Sequence, residues 1–298
     1  MPRIIRVFSA RNSYTPVDDY TFIGMPPRIP GMIPEHSEVH VCCVFTWDKA
    51  YCDYLAYQWE SATNKPVRLG GPAYESFAEG FEQGMYIKSN IIFTTRGCNN
   101  QCPWCAVPRI EGKLRELPVC QGNVIQDNNF LQASRAHKDK VFDMLKTQKG
   151  ICFTGGLEPG LIDDHFCEAL NSFYFTRGSK KCSRIAELWL ACDTDAALPR
   201  LKRAVDKLNK VGFDREKINC YVLIAPRVTT MEQAEARLRE IYEAGAMPRC
   251  QLYRDFSDKK TEYGTEWNQF ATQWYQPAAM KRHMKDGTEF RNYKHPAD

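Results

Sequence analysis

The chain has 298 residues, enough for one large domain or two smaller ones, and its 43% hydrophobic content supports a sizeable core. A net charge of +4 sets no expectation of a polyanion or an anionic membrane surface, and no apolar run approaches a membrane span. The opening Met-Pro-Arg-Ile-Ile-Arg-Val-Phe lacks the long apolar stretch and small-residue cleavage site of a signal peptide. A cytoplasmic protein with reduced thiols is expected.

Residues 3–8 read as a first strand, and 11–37 as loop, broken by Pro16, Pro26, Pro27, Pro30 and Pro34. Residues 38–46 form a second apolar strand. Asp48 then reads as an N-cap for a helix over 49–60, where Tyr51, Tyr54, Leu55 and Trp59 recur at helical spacing. A short strand over 66–69 ends in Gly70-Gly71-Pro72. Strand, helix and strand at this length make a crossover unit of a doubly wound sheet. Residues 1–86 are therefore expected to form a small Rossmann-like α/β domain.

From residue 87 strands and helices alternate. Strands are expected over 87–95, 122–126, 151–154, 187–192, 219–225 and 249–253. Helices are expected over 134–149, 163–173, 196–210 and 230–244, the last ending at Gly245. Apolar strands separated by helices imply a parallel sheet over 87–256. Residues 257–298 form a helical extension with Trp267, Phe270, Trp274 and Tyr275. These aromatics either cap the open side of the sheet or pack on its helices.

The first of these strands leads into Phe-Thr-Thr-Arg-Gly-Cys98-Asn-Asn-Gln-Cys102-Pro-Trp-Cys105-Ala-Val-Pro-Arg-Ile-Glu-Gly-Lys-Leu-Arg-Glu. Gly97 permits a sharp turn before the first thiol, while Pro103 and Pro108 keep the stretch from closing into a regular helix. Three sulfurs can then converge on one centre. A structural zinc site takes four protein ligands, for which Cys120 or His137 would be the fourth. An iron–sulfur cube takes one Cys per iron, so three leave one iron open. The other ten of the 13 cysteines are scattered, several within apolar runs, as buried small hydrophobes are.

The C-x3-C-x2-C spacing, with Trp104 in the aromatic slot before the last Cys, resembles the radical S-adenosylmethionine (SAM) superfamily. The resemblance is specific at Cys98, Cys102 and Cys105, looser across 87–255 and weak before that. It implies an open partial (β/α)6 TIM-like barrel and a [4Fe-4S] cluster on those three cysteines. The open iron would chelate SAM, and an electron would split it to methionine and a 5′-deoxyadenosyl radical. An electron donor of the flavodoxin or ferredoxin type and an oxidoreductase or transferase reaction are implied with it. The N-terminal domain is similar to that of cobalamin-dependent members but is short and has no Asp-x-His-x-x-Gly motif. It is expected to pack against the rest without binding cobalamin tightly.

Barrel enzymes build their sites at the C-terminal ends of the strands. Behind successive strands stand Asp127-Asn128-Asn129, then Gly155-Gly156-Leu157-Glu158, then Asp193, then Arg227, then Arg254. Two of these stretches compete to bind the methionine amino group of SAM. Asp127, Asn128 and Asn129 resemble an Asp-Asp-Asn variant of the family. Gly155, Gly156 and Glu158 resemble its Gly-Gly-Glu motif with one extra residue. If 122–126 is a true strand, its register favours the first, and Glu158 then lies nearer the sulfonium, ribose or substrate. Asp193 is the candidate for the ribose hydroxyls, and the backbone near Leu252 and Tyr253 for the adenine edge.

Residues 176–217 hold eleven Lys/Arg against six Asp/Glu. Within them the basic 177–184 segment precedes the fourth strand, at the end of a parallel sheet opposite the thiols. A small-molecule or peptide substrate is expected. A nucleic-acid-modifying enzyme, a cobalamin-dependent methyltransferase and a non-catalytic iron–sulfur or zinc module remain as alternatives.

Overall fold

The computed structural model describes residues 3–29, 31–74, 85–227, 229–255, 257 and 259–286. The chain divides into one unit of Met1–Ile91 with Asp255–Thr261 and a second of Ile92–Arg254 with Glu262–Asp298. The proposed boundary at 86/87 thus moves five residues on, and the 257–298 extension splits between the units. Its last part, 287–298, lies outside the described residues.

In the first unit, β1 (Ile4–Phe8) is flanked by β2 (Thr21–Ile23) and β3 (Glu38–Cys42), and α1 (Lys49–Thr63) leads from β3 to β4 (Val67–Gly70). All three ladders are parallel, in the order β2-β1-β3-β4. The order reverses at β1, as in a doubly wound sheet. Ile5, Val7, Val39 and Val41 alternate inward against Cys52, Leu55 and Trp59 of α1. Tyr51 and Tyr54 face solvent instead, because Cys52 and Leu55 hold the buried face. Asp48 does not cap α1 with its side chain; its carboxylate accepts from the Ser9 hydroxyl at 2.9 Å.

Among the described residues, α1 is the one α-helix of this unit, and 9–20 and 24–37 cross without one. The four parallel strands described in this unit are fewer than those of a full doubly wound sheet. Protein purified from cells supplied with hydroxocobalamin is expected to be colourless once any iron is removed. Stoichiometric corrin absorbance in that sample would make methyl transfer the leading reaction.

In the second unit β5 (Ile91–Ile92) opens the main sheet, and β6 (Thr95–Arg96) leads through α2 (Val107–Ile110) to β7 (Arg115–Glu116). There follow β8 (Val124–Ile125), α3 (Arg135–Leu145), β9 (Ile151–Leu157) and α4 (Asp164–Asn171). A hairpin of β10 (Tyr174–Arg177) and β11 (Lys180–Ser183) enters β12 (Ile185–Ala191), then α5 (Leu198–Lys210) and β13 (Ile218–Ile224). The unit ends with α6 (Met231–Glu243), β14 (Met247–Leu252), α7 (Thr265–Tyr275) and α8 (Pro277–Asp286).

Six strands form one sheet in chain order, β5-β8-β9-β12-β13-β14, and every ladder from β8 to β14 is parallel. The helices start where the side chains dictate. Ser134, Asp163 and Thr230 each accept from the backbone N–H three residues on, and Thr230 completes a capping box with Gln233. Phe153, Phe166, Leu188, Leu201, Val222 and Leu238 join strands and helices in one core. Phe270 and Trp274 of the aromatic stretch belong to it too, Trp267 packs against it half-buried, and Tyr275 is exposed. Among the described residues no helix is long and apolar enough to cross a membrane.

The first strand is shorter than expected. Residues 88–90 turn, and the chain leaves the main sheet after Ile92, so that β6 pairs antiparallel with β7. The short stretch at Val124–Ile125 is a true strand, between β5 and β9. The Gly-Gly pair lies inside β9 rather than after it. Phe153 pairs with Leu188 and Leu157 with Leu190, so β9 carries a bulge through Thr154, Gly155 and Gly156.

Candidate functional site

The cysteines stand on a loop whose two ends are stitched together by β6 and β7. Gly97 enters it at φ +79°, and a Cβ there would lie 2.2 Å from the Lys113 carbonyl oxygen, so glycine is required. The Cys98 N–H donates to Gly112 O at 3.1 Å. Glu111 braces the same closure: it accepts from Arg96 at 2.7 Å, the Gly97 N–H at 3.0 Å and Asn128 Nδ2 at 2.7 Å. Asn128 is thereby committed to the loop. Pro108 lies in the first turn of α2, so it starts a helical turn where it was expected to prevent one.

All three thiols are unpaired; Cys102 and Cys105 are exposed and Cys98 half-buried. The protein around them nevertheless desolvates Cys102 and Cys105 enough to push both thiols up. Neighbouring negative charge adds to this: Cys102 senses Cys105, Cys98, Asp193 and Glu158, and Cys105 senses Cys98, Asp193 and Glu111. Cys102 and Cys105 thus feel charge at the ends of β9 and β12 as well as at Cys98. Among the described residues no three His, Cys, Asp or Glu side chains are gathered around a single-ion position. Cys120 Sγ lies 3.9 Å from the Pro118 carbonyl oxygen, and His137 lies 3.7 Å from Glu116.

Glu158, just past β9, is the hub. Its Oε2 accepts from Asn100 Nδ2 at 2.9 Å, Asn129 Nδ2 at 2.9 Å and Gln132 Nε2 at 3.3 Å. Cys98 Sγ lies 3.5 Å from the Asn100 backbone nitrogen, 3.6 Å from Gln132 Oε1 and 4.0 Å from Asn129 Nδ2. Asn129 is buried, and among the described residues its Oδ1 has no hydrogen-bond partner. A buried acceptor left open calls for a donor.

Asp127 does something else. At 1% exposure it accepts from the Thr94 N–H at 2.6 Å and from the Thr94 hydroxyl. Burial raises its carboxyl above the usual range, against the pull of these bonds. It joins the strand-one exit to β8, and both of its oxygens accept from Thr94. Gly155 is also structural: a Cβ there would sit 1.8 Å from the Asp127 carbonyl oxygen. Gly156, at φ +99°, shapes the bulge that brings Glu158 to the rim.

Asp193, beyond β12, accepts the Leu223 N–H at 2.8 Å, and Arg237 Nη1 donates to its carbonyl at 2.9 Å. Burial raises its carboxyl too. The Trp104 ring meets Tyr253 edge to face at 5.5 Å, so the cysteine loop after β5 reaches the strand at the opposite edge of the sheet. Tyr253 has both backbone groups engaged, N–H to Ile224 O and C=O with the Tyr263 hydroxyl, which leaves Leu252 as the freer candidate for an adenine edge. Beyond β13 lies a cavity of about 530 Å³ lined by Pro226, Arg227, Thr230, Glu266 and Trp267.

Asn129, Glu158, Asp193, Trp104 and Tyr253 thus gather with the cysteines. Asn100, Glu111 and Gln132 complete the arrangement and carry no spacing signal; only their amide and carboxylate chemistry, beside the motif and after a strand, could have marked them. Comparison with protein-family models, with curated proteins and with solved structures found no match.

Proposed function

We propose that the second unit is a radical SAM enzyme. Its six strands form the open partial barrel, and Cys98, Cys102 and Cys105 hold a [4Fe-4S] cluster. The observation that carries the reading is the open acceptor of Asn129, buried beside Cys98 and Glu158. Glu158 and Asp193 place carboxylate acceptors at this end of the sheet. Such a site favours a cationic ligand with N–H donors, which the ammonium and sulfonium of SAM provide.

In this reading Asn129 Oδ1 and the free Oε1 of Glu158 accept from the ammonium. Asp193 has one oxygen on Leu223 and offers the other to the ribose hydroxyls. Trp104 against Tyr253 lines the rim beside the cysteines. When bound, the cluster supplies the electron that splits SAM to methionine and a 5′-deoxyadenosyl radical, which abstracts hydrogen from the substrate. An open depression beyond β13, lined by Arg227, Glu266 and Trp267, is the place where a metabolite or one side chain of a peptide would enter. The basic hairpin, carrying Arg177 and Lys180, enters β12 at the end opposite Asp193, which disfavours a phosphate backbone held at the reacting site. A flavodoxin- or ferredoxin-type donor in the reducing cytoplasm completes the proposal.

Anaerobic reconstitution with iron and sulfide, then SAM and a reductant, tests the reading. Formation of 5′-deoxyadenosine supports it, and a reconstituted protein that never forms it is a binding module. Glu158→Ala is expected to keep the cluster's absorbance and weaken SAM binding roughly ten- to hundredfold, the loss of one charge-assisted hydrogen bond. Unchanged SAM affinity in that variant would remove Glu158 from the site.

A further inference from the structure

Gln132 closes the 3-10 turn Phe130–Gln132 that follows β8. Its single amide reaches four neighbours. Oε1 accepts the Asn99 N–H at 2.8 Å and lies 3.6 Å from Cys98 Sγ. Nε2 donates to Asn100 Oδ1 at 3.1 Å and to Glu158 Oε2 at 3.3 Å. The polarity of each end is determined by its partners: a backbone N–H demands the oxygen, a carboxylate the nitrogen. A flipped amide would oppose both.

Two of the three donors on Glu158 come from asparagines with their own ties to Cys98. The Asn100 N–H donates to its sulfur at 3.5 Å, and Asn129 Nδ2 lies 4.0 Å from it. Gln132 alone grips the backbone next to Cys98, the Asn100 side chain and Glu158 together. Removing it leaves the Asn99 N–H and Asn100 Oδ1 without these partners, and Glu158 with two of its three donors.

Resting on the reading above, we infer that Gln132 is a positioning residue that sets Cys98 and Glu158 in one geometry. A ligand held by Glu158 then meets the metal held by Cys98 at a defined orientation. Such a residue acts on the relation between the two ligands more than on either alone. A brace for the cysteine loop alone would act on metal retention and leave SAM binding to the loaded protein unchanged.

The test compares Gln132→Ala and Gln132→Glu with wild type in the full chain. Iron content, SAM affinity and the electron paramagnetic resonance spectrum of the reduced cluster, with and without SAM, are measured. Gln132→Glu keeps an acceptor for the Asn99 N–H but loses the donor to Glu158 and places a second carboxylate against it. The expected result is wild-type iron content in Gln132→Glu, with SAM affinity lowered about tenfold or more and an altered spectral response to SAM. Gln132→Ala should show the same response whether or not it also loses some iron. Wild-type affinity and spectra in loaded Gln132→Glu would overturn the assignment, and so would loss of iron as that variant's only change. A wild-type protein that takes up no iron, or no SAM, overturns the underlying reading instead and this assignment with it.

Discussion

Replacing any one of Cys98, Cys102 or Cys105 with Ala is expected to abolish the visible absorbance of the reconstituted protein, whereas Cys120→Ala leaves it unchanged. Each thiol would serve a different iron, so two remaining ligands cannot hold a cube. Cys98 is the most constrained of the three, with the Asn100 N–H on its sulfur and its own N–H on Gly112. Cys102 and Cys105 are exposed and carry raised thiols, so metal must displace protons that desolvation and nearby carboxylates hold in place. Uptake should therefore slow as pH falls. Among the described residues Cys120 has no such company; its sulfur lies 3.9 Å from a carbonyl oxygen. Loss of metal in the Cys120 variant, with retention in any one of the three, would favour a zinc-type site.

Asp127→Ala is expected to lower thermal stability with little direct effect on the ligand. Thr94 is fully buried, and the substitution strips both its N–H and its hydroxyl of their acceptor. Two buried donors left unpaired cost about 3 kcal/mol together, roughly 6–12 °C in Tm for a unit of this size. Gly155→Ala should damage the same junction by another route, because its Cβ meets the backbone of Asp127 at 1.8 Å and neither strand has a flexible side chain to yield. Thermal melts by circular dichroism measure both. If Asp127→Ala melts as wild type but loses SAM affinity, the carboxylate belongs to the ligand after all. Set beside Glu158→Ala, the pair separates a structural acid from a functional one.

These two acids show how far reading along the chain reaches. Asp127 and Glu158 both stand behind a strand, beside residues that match a family pattern, and nothing local distinguishes them. The structure does so through partners: a buried threonine for one, three side-chain amides for the other. The bulge in β9 matters equally. The expected end of that strand at Thr154 placed Gly155 and Gly156 in a loop, but they continue the strand because Gly155 must pass against the backbone of Asp127.

What the sequence by itself determined is local or periodic. The thiol spacing, the glycine before it, the helix starts near 134, 163 and 230, and the alternation of apolar strands with helices all lie within a few residues of their causes. Each could be read because a cap, a turn or a buried face needs its residue type at that position. The tertiary structure decided which polar groups meet. Asn100 and Glu158 are 58 residues apart and Gln132 and Glu158 are 26 apart, and no periodicity links them. Their contact depends on three strand ends closing on one rim, and an amide advertises no partner until a carboxylate is brought within 3 Å of it.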